Sequence, residues 1–384
     1  MKYSFIKDND WLLILTVFLL ATFGLVMVFS ASYAIGIAET ANSDPYYFIK
    51  RQIMWFIIAT CAFLFVMHVP FRYYRNLSVI IIIISIILLI LVKTPGIGHT
   101  VGGAERWIRI PGLGVIQPSE FVKLGVIIYL AQVYTQKQAY IDKFLVGVMP
   151  PLIMVGVIFG LIMLQPDLGT ATSIMAVAML LAFFSGAKFR HLLGLAIVGV
   201  SVFVFFVRSE EYRMQRITGF MDPFADMWGE GYHLVQSYIA IAHGGLTGTG
   251  LGQGVQKLLY LPEAHTDFIL AVVAEELGIL GVLFIFVCYA IIIFRGVVIG
   301  TKSRSPFGSL LAFGIVFLMA IQIVFNVGAV TGLLPITGVT LPLVSNGGSS
   351  LLVTFIGLAI IANISRNNKR QKRNMENVEE QVPA

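Results

Sequence analysis

Stretches of about twenty apolar residues recur along this chain, and a run of that length matches the roughly 30 Å of hydrocarbon in a membrane. Ten of them lie near 11–33, 52–69, 78–92, 119–134, 144–164, 168–186, 190–207, 269–294, 308–329 and 341–363. Lipid offers no partner to a backbone N–H or C=O, so each run must satisfy its own, and only helices or closed barrels do so. The ten-residue alternating segments of a barrel are not seen, and the prediction is an all-α polytopic membrane protein of about ten transmembrane helices. Composition agrees. Of 384 residues 58% are hydrophobic and 12% charged, with a mean hydropathy of +0.88, outside the range of a soluble domain.

Basic residues sort the connections between these runs. With the N-terminus in the cytoplasm, Lys2, Lys7, Arg72, Arg75, Lys137, Lys143, Lys188, Arg190, Arg295, Lys302, Arg304 and the basic residues after Ser365 fall inside. That positive-inside bias fits an even number of spans and puts both termini in the cytoplasm. The net charge of +6 therefore reports orientation, and the basic tail is expected to touch anionic membrane lipid, not nucleic acid. One transmembrane domain, 1–365, is expected, with large outer loops at about 93–118 and 208–268 and a disordered cytoplasmic tail at 366–384. The first run is too long for a secretory signal and reads as a retained anchor. Cys61 and Cys288 fall inside runs and imply neither a disulfide framework nor a metal site.

The outer side holds the polar groups that could do chemistry. In IQPSEFVKLG, 116–125, Pro118 suits the first turn of a helix, and Glu120 and Lys123 then share a face one turn in. Charges at that depth face a cavity or pair with each other, so a functional pair and a structural ion pair both stay open. In LQPDLGTATS, Asp167 either caps a helix or bounds a site. In LPEAHTDFILAVVAEELG, 261–278, Glu263, His265 and Thr266 close the long loop and Asp267 falls at a helix start, where the dipole favours an ionised carboxylate. Asp267 is a candidate base or a simple N-cap. Glu275 and Glu276 lie about two turns deeper, and adjacent positions should send one to a polar interior and one elsewhere. GGLTGTGLGQG, 244–254, fits tight turns or close approach to a ligand, and matches no nucleotide-binding spacing. No metal-ligand spacing surrounds His265, and no metal residues are assigned. TGLLPITGVTLPLVSNGGSS, 331–350, puts irregular backbone at the head of the last run, which membranes tolerate only where it lines protein or a cavity.

Taken in order, QPSEFVK, QPDLGT, GGLTGTGLGQGVQKLLYLPEAHTDFI, AEELG and PITGVTLPLVSNGGSS resemble the SEDS family of bacterial membrane proteins, which includes FtsW, RodA and SpoVE. The resemblance runs from LVMVFSAS (25–32) to ANIS (362–365), with Asn346 standing where the family usually has Tyr. It implies ten transmembrane helices and a peptidoglycan glycosyltransferase that joins lipid II units into glycan strands and releases undecaprenyl diphosphate outside the membrane. The family's essential acid falls on Asp267, and its Glu and Lys of the QPSE block on Glu120 and Lys123. Arg106, Arg109, Glu263, His265, Thr266, Glu275 and Ser349 are then expected around the substrate, with the arginines and Lys123 as diphosphate partners. A divalent cation at the diphosphate stays open. The implied partners are lipid II, the growing strand, a class B penicillin-binding protein and other division proteins. The stretch 126–143 looks closer to FtsW of Gram-positive bacteria and leans to the division septum of the plasma membrane. An elongation polymerase like RodA, or a flippase for lipid II, is the alternative.

Overall fold

Serines on one face of an apolar helix mark the side turned away from lipid, because lipid tails are as apolar as leucine and give helices no hydrophobic reason to associate. Helix α3 (Arg72–Val92) buries Ser78, Ile82 and Ser85 and exposes Ile80, Ile83, Ile84 and Ile87. The structure, a computed structural model, describes residues 8–40, 43–101, 104–112, 114–208, 214 and 219–379, so Lys2 and Lys7 of the charge argument, and nine residues of the second outer loop, lie outside them. Before α3 come α1 (Trp11–Glu39) and α2 (Tyr47–Val66); after it come strands β1 (Gly98–Val101), β2 (Ala104–Ile110) and β3 (Gly114–Ile116). Helices α4 (Pro118–Gln136), α5 (Met149–Met163), α6 (Leu168–Phe184) and α7 (Phe189–Arg208) follow. Then come α8 (Tyr232–Gly244), α9 (Ile269–Thr301), α10 (Pro306–Val330) and α11 (Gly348–Glu379).

Seven of these helices are long and apolar enough to cross a membrane; α5 is counted with the π-helical turn Phe144–Val148 before it. The more polar α4, with Glu120 and Lys123, and the shorter α6 and α7 bring the spans to ten, as expected. Packing follows small residues. A Cβ on Gly125 of α4 would come within 2.8 Å of Ser85 Oγ on α3, so glycine sets the approach of those two helices. Helix α11 packs on α2, α9 on α1, α8 and α10, and α10 on α4 and α6.

Three expectations change. The first outer loop is an antiparallel sheet in the order β1-β2-β3, a small β element in a chain read as all-α. The second contains α8, packed on α9. The tail expected to be disordered continues α11 through Glu379, where the buried Asp8 and the Asn9 carbonyl gather its charges; residues 380–384 lie outside the described ones. Arg370 and Arg373 each donate to Asp8 at 3.2 Å, Lys369 donates to the Asn9 carbonyl at 2.7 Å, and Arg295 of α9 pairs with Asp10. This clasp joins both termini on one face of the bundle.

Candidate active site

Asp267 occupies the turn before α9, but it does not cap the helix: the cap position is Phe268, without a side-chain bond. No hydrogen bond or ion pair from its carboxyl is found among the described residues, and the residue is half-buried. Opposite stands Gly338, at φ +68 in the irregular segment 331–347, where a Cβ would lie 3.5 Å from Asp267 Oδ2. Glycine there keeps one side of the carboxyl uncovered. Protein closes round the remaining sides. That burial pushes the Asp267 carboxyl up to about 7, helped by the negative charges of Glu263 and Asp167 and opposed by Arg106.

Those charges arrive on other elements. Asp167 serves both purposes the sequence left open, since it caps α6 by accepting from Thr170 N at 3.1 Å and it bounds the site. Its second oxygen accepts from Gln117 Nε2, also at 3.1 Å. Arg106, on β2, donates Nε to the Gln165 carbonyl at 2.9 Å and Nη2 to the Pro166 carbonyl, which orders the QPD turn and holds a cation near Asp267. The Gln117 backbone N–H donates to Ser349 Oγ at 3.0 Å, tying the start of α4 to the start of α11. Ser349 is buried, and its hydroxyl is engaged by this frame.

The loop around Asp267 is held from behind. Ser345 Oγ donates to the Thr266 carbonyl at 2.6 Å, and Asn346 N–H donates to the His265 carbonyl at 2.9 Å. Thr266 Oγ1 donates to Glu263, which is exposed. Glu263 at φ +51 and Leu343 at φ +67 are left-handed residues with side chains, one on each of the two segments that meet here, and such strain persists only where surrounding contacts impose it. The His265 ring is buried 4.7 Å from Phe48, and burial, opposed by Glu263, holds its pKa below the usual value.

Glu120 and Lys123 do meet, at 2.7 Å and nearly out of solvent. The pair adjoins a cavity of about 20 Å³ between α4, α10 and α11, also lined by Gln322 and Thr354. Neither charge is among those acting on Asp267. Gln117, next to the first turn of their helix, connects α4 to Asp167. Arg109 also lies apart from Asp267: it faces Lys50, Arg51 and Tyr47 around an outer cavity of about 440 Å³. Arg106 and Arg109 differ by three on a strand and so leave it on opposite faces.

Glu275 is the clearest correction. Both it and Glu276 are fully buried, and both hold the glycine-rich loop to α9. Glu275 accepts from Val255 N at 2.8 Å, Gln256 N at 3.2 Å and His243 Nδ1 at 3.0 Å, while Glu276 accepts from Gly252 N at 3.0 Å, Ser30 Oγ at 2.7 Å and Lys257 Nζ at 2.6 Å. Helix α9 breaks at Gly278, φ +62 and ψ −158. The Glu275 and Glu276 carbonyls accept from Thr249 N and Gly250 N at 2.9 Å. Gly244, Gly248 and Gly254 thus approach the broken helix, where a Cβ on any of them would meet Ala274, Glu275 or Glu276.

Sequence reasoning passed over Asn326 and Lys257. Both are buried polar groups, Asn326 in the middle of an apolar run, and that position alone is a signal of function or of a structural bond.

The profile of the FtsW, RodA and SpoVE cell cycle proteins matches residues 10–370. Over 364 residues the chain is 40% identical to the probable peptidoglycan glycosyltransferase FtsW of Geobacter metallireducens, covering 95% of this chain and 96% of that one. It is 41% identical over 360 residues to stage V sporulation protein E of Bacillus subtilis, covering 94% and 98%. Among solved structures it is similar to a chain from a study of the coordination of polymerization and crosslinking by a peptidoglycan synthase complex, with TM-score 0.76, 26% identity and coverage of 94% and 98%.

Proposed function

This chain belongs to the FtsW, RodA and SpoVE family of cell cycle proteins, and on that premise we propose that it polymerises lipid II into glycan strands as a peptidoglycan glycosyltransferase. One observation carries the reading: Asp267 presents a carboxyl without a hydrogen-bond partner, open on the Gly338 side and pushed up to about 7, beside the Arg106 cation. A general base works best when its pKa lies near the operating pH. Asp267 takes the O–H proton of the acceptor sugar as that oxygen attacks the anomeric carbon of the donor. The anomeric C–O bond breaks, and undecaprenyl diphosphate leaves with the electron pair. Positive charge near the leaving group stabilises it, a role assigned here to Arg106, the cation that acts on Asp267. The outer basic cavity of Lys50, Arg51 and Arg109 offers a second contact for a phosphate of the lipid carrier.

Among the described residues no three His, Cys, Asp or Glu side chains are grouped to hold a metal on their own, whereas a divalent cation at a diphosphate would take most of its ligands from phosphate oxygens and water and would need only one or two carboxylates. The proposed step runs through Asp267 and Arg106.

The test uses purified protein in detergent with lipid II, where there is no membrane to cross. Strand product from the wild type, and none from Asp267→Asn, is the expected result. Absence of product from the wild type would leave a flippase as the better reading. Work at the division septum, alongside a class B penicillin-binding protein, is supported by the family and by the neighbour drawn from a synthase complex.

A further inference from the structure

Helix α10 carries Asn326 in the run IQIVFNVGAV, where it is 1% exposed. Its amide nitrogen donates to two carbonyls from different segments, Asp267 O at 2.7 Å and Val339 O at 2.8 Å. Carbonyls only accept, so the chemistry itself fixes which end of the amide faces them. Asn326 Oδ1 is buried with no hydrogen-bond partner, which shows that the amide is placed for its two donors. Val339 directly follows Gly338, the residue opposite the Asp267 carboxyl. A single side chain on a rigid helix thus grips the turn that carries the carboxyl and the segment that leaves it uncovered.

We propose that Asn326 is a positioning residue for the glycosyl transfer, fixing the Asp267 carboxyl against segment 331–347 through these two backbone bonds. The proposal rests on the reading of Asp267 as the base. It gives α10 a definite task. One turn earlier on the same face, Gln322 lines the cavity at Glu120 and Lys123, so a single helix borders both the ion pair and the base. Without the clamp, neither carbonyl is tied to α10, and the Asp267 turn and the Gly338 segment can shift independently. Misplacement of a catalytic group by about 1 Å costs on the order of 10²-fold in rate.

The experiment compares purified wild type, Asn326→Leu, Asn326→Ser and Asp267→Asn in detergent with lipid II, recording kcat, KM, melting temperature and the pH dependence of kcat. Leucine keeps the approximate size and removes both donors; serine keeps a single donor. Asn326→Leu should lower kcat on the order of 10²-fold with KM near that of wild type, and Asn326→Ser should fall between. A role in folding alone would not move the pH midpoint. Release of the Asp267 turn should move it from near 7 toward the ordinary carboxylate range, as water reaches the carboxyl. Wild-type kcat and midpoint in Asn326→Leu would overturn the proposal, and so would a rate loss that merely tracks the folded fraction. Should the leucine variant not fold, Asn326→Ser decides by the same two readouts. Full activity in Asp267→Asn would overturn the reading of the base itself, whereas an inactive Asp267→Asn beside an unaffected Asn326→Leu overturns the clamp alone.

Discussion

A carboxyl raised to about 7 is a base only in the molecules where it is ionised, so polymerisation should climb between pH 6 and pH 8 with a midpoint near 7. The same shift bears on stability with the opposite sense. Because the folded state holds this proton more tightly than the unfolded chain does, stability falls as pH rises from the usual carboxylate range to about 7. Asp267→Asn should therefore melt higher than wild type at pH 8, with the gap closing toward pH 4, while making no strands. Equal melting at both pH values would show that the carboxyl is not held in a desolvated place. Asp167→Asn is expected to keep measurable polymerisation, since an amide oxygen still accepts from Thr170 N; a loss as complete as at Asp267 would move Asp167 into the chemistry. The place of Asp267 near a helix start was legible because a polar block meets an apolar run there, but the dipole expected to favour its ionised form is outweighed by burial, which raises its pKa. That Arg109 lies at an outer cavity apart from Asp267, and that the His265 ring packs on Phe48, was not legible, because the face of a strand and the fold of a loop decide where a side chain ends, and neither is local in the sequence.

For α4 the informative pair is Glu120 and Lys123, with side chains 10% and 3% exposed. Removing one charge leaves the other unpaired in a buried place and costs about 3–5 kcal/mol, whereas replacing both with apolar residues costs much less. A double-mutant cycle on thermal unfolding should be strongly non-additive, and strict additivity would mean that the two charges do not interact. For α9 the informative position is Gly278, whose φ of +62 excludes ordinary side chains. Gly278→Val should loosen the break and expose the 244–257 loop to protease, read as faster cleavage with α9 intact. The ten spans were legible because membrane thickness imposes one length on all of them. The break in α9 was not. Its freed carbonyls find partners in Thr249 and Gly250, and that solution exists only once the loop has folded back.

At the scale of the whole molecule, the described residues form one bundle of spans with no separate globular domain, and a similar chain comes from a study of a complex that coordinates polymerization with crosslinking. Co-purification with the cognate class B penicillin-binding protein, and faster polymerisation when it is added, is the expected outcome; full activity alone without association would make the chain autonomous. The tail was misread because charge-rich composition describes a segment in isolation, while Asp8, which anchors it, stands at the other end of the chain. That anchorage has a mechanical consequence. Helix α11 runs unbroken for 32 residues, about 48 Å at 1.5 Å per residue. Its first turn holds Ser349 against Gln117, and its last turns hold Arg370 and Arg373 against Asp8. A helix resists stretching and twisting because either one breaks its hydrogen-bond ladder. A push or torque on the tail thus has a single continuous helix as its path to the contact between Ser349 and Gln117.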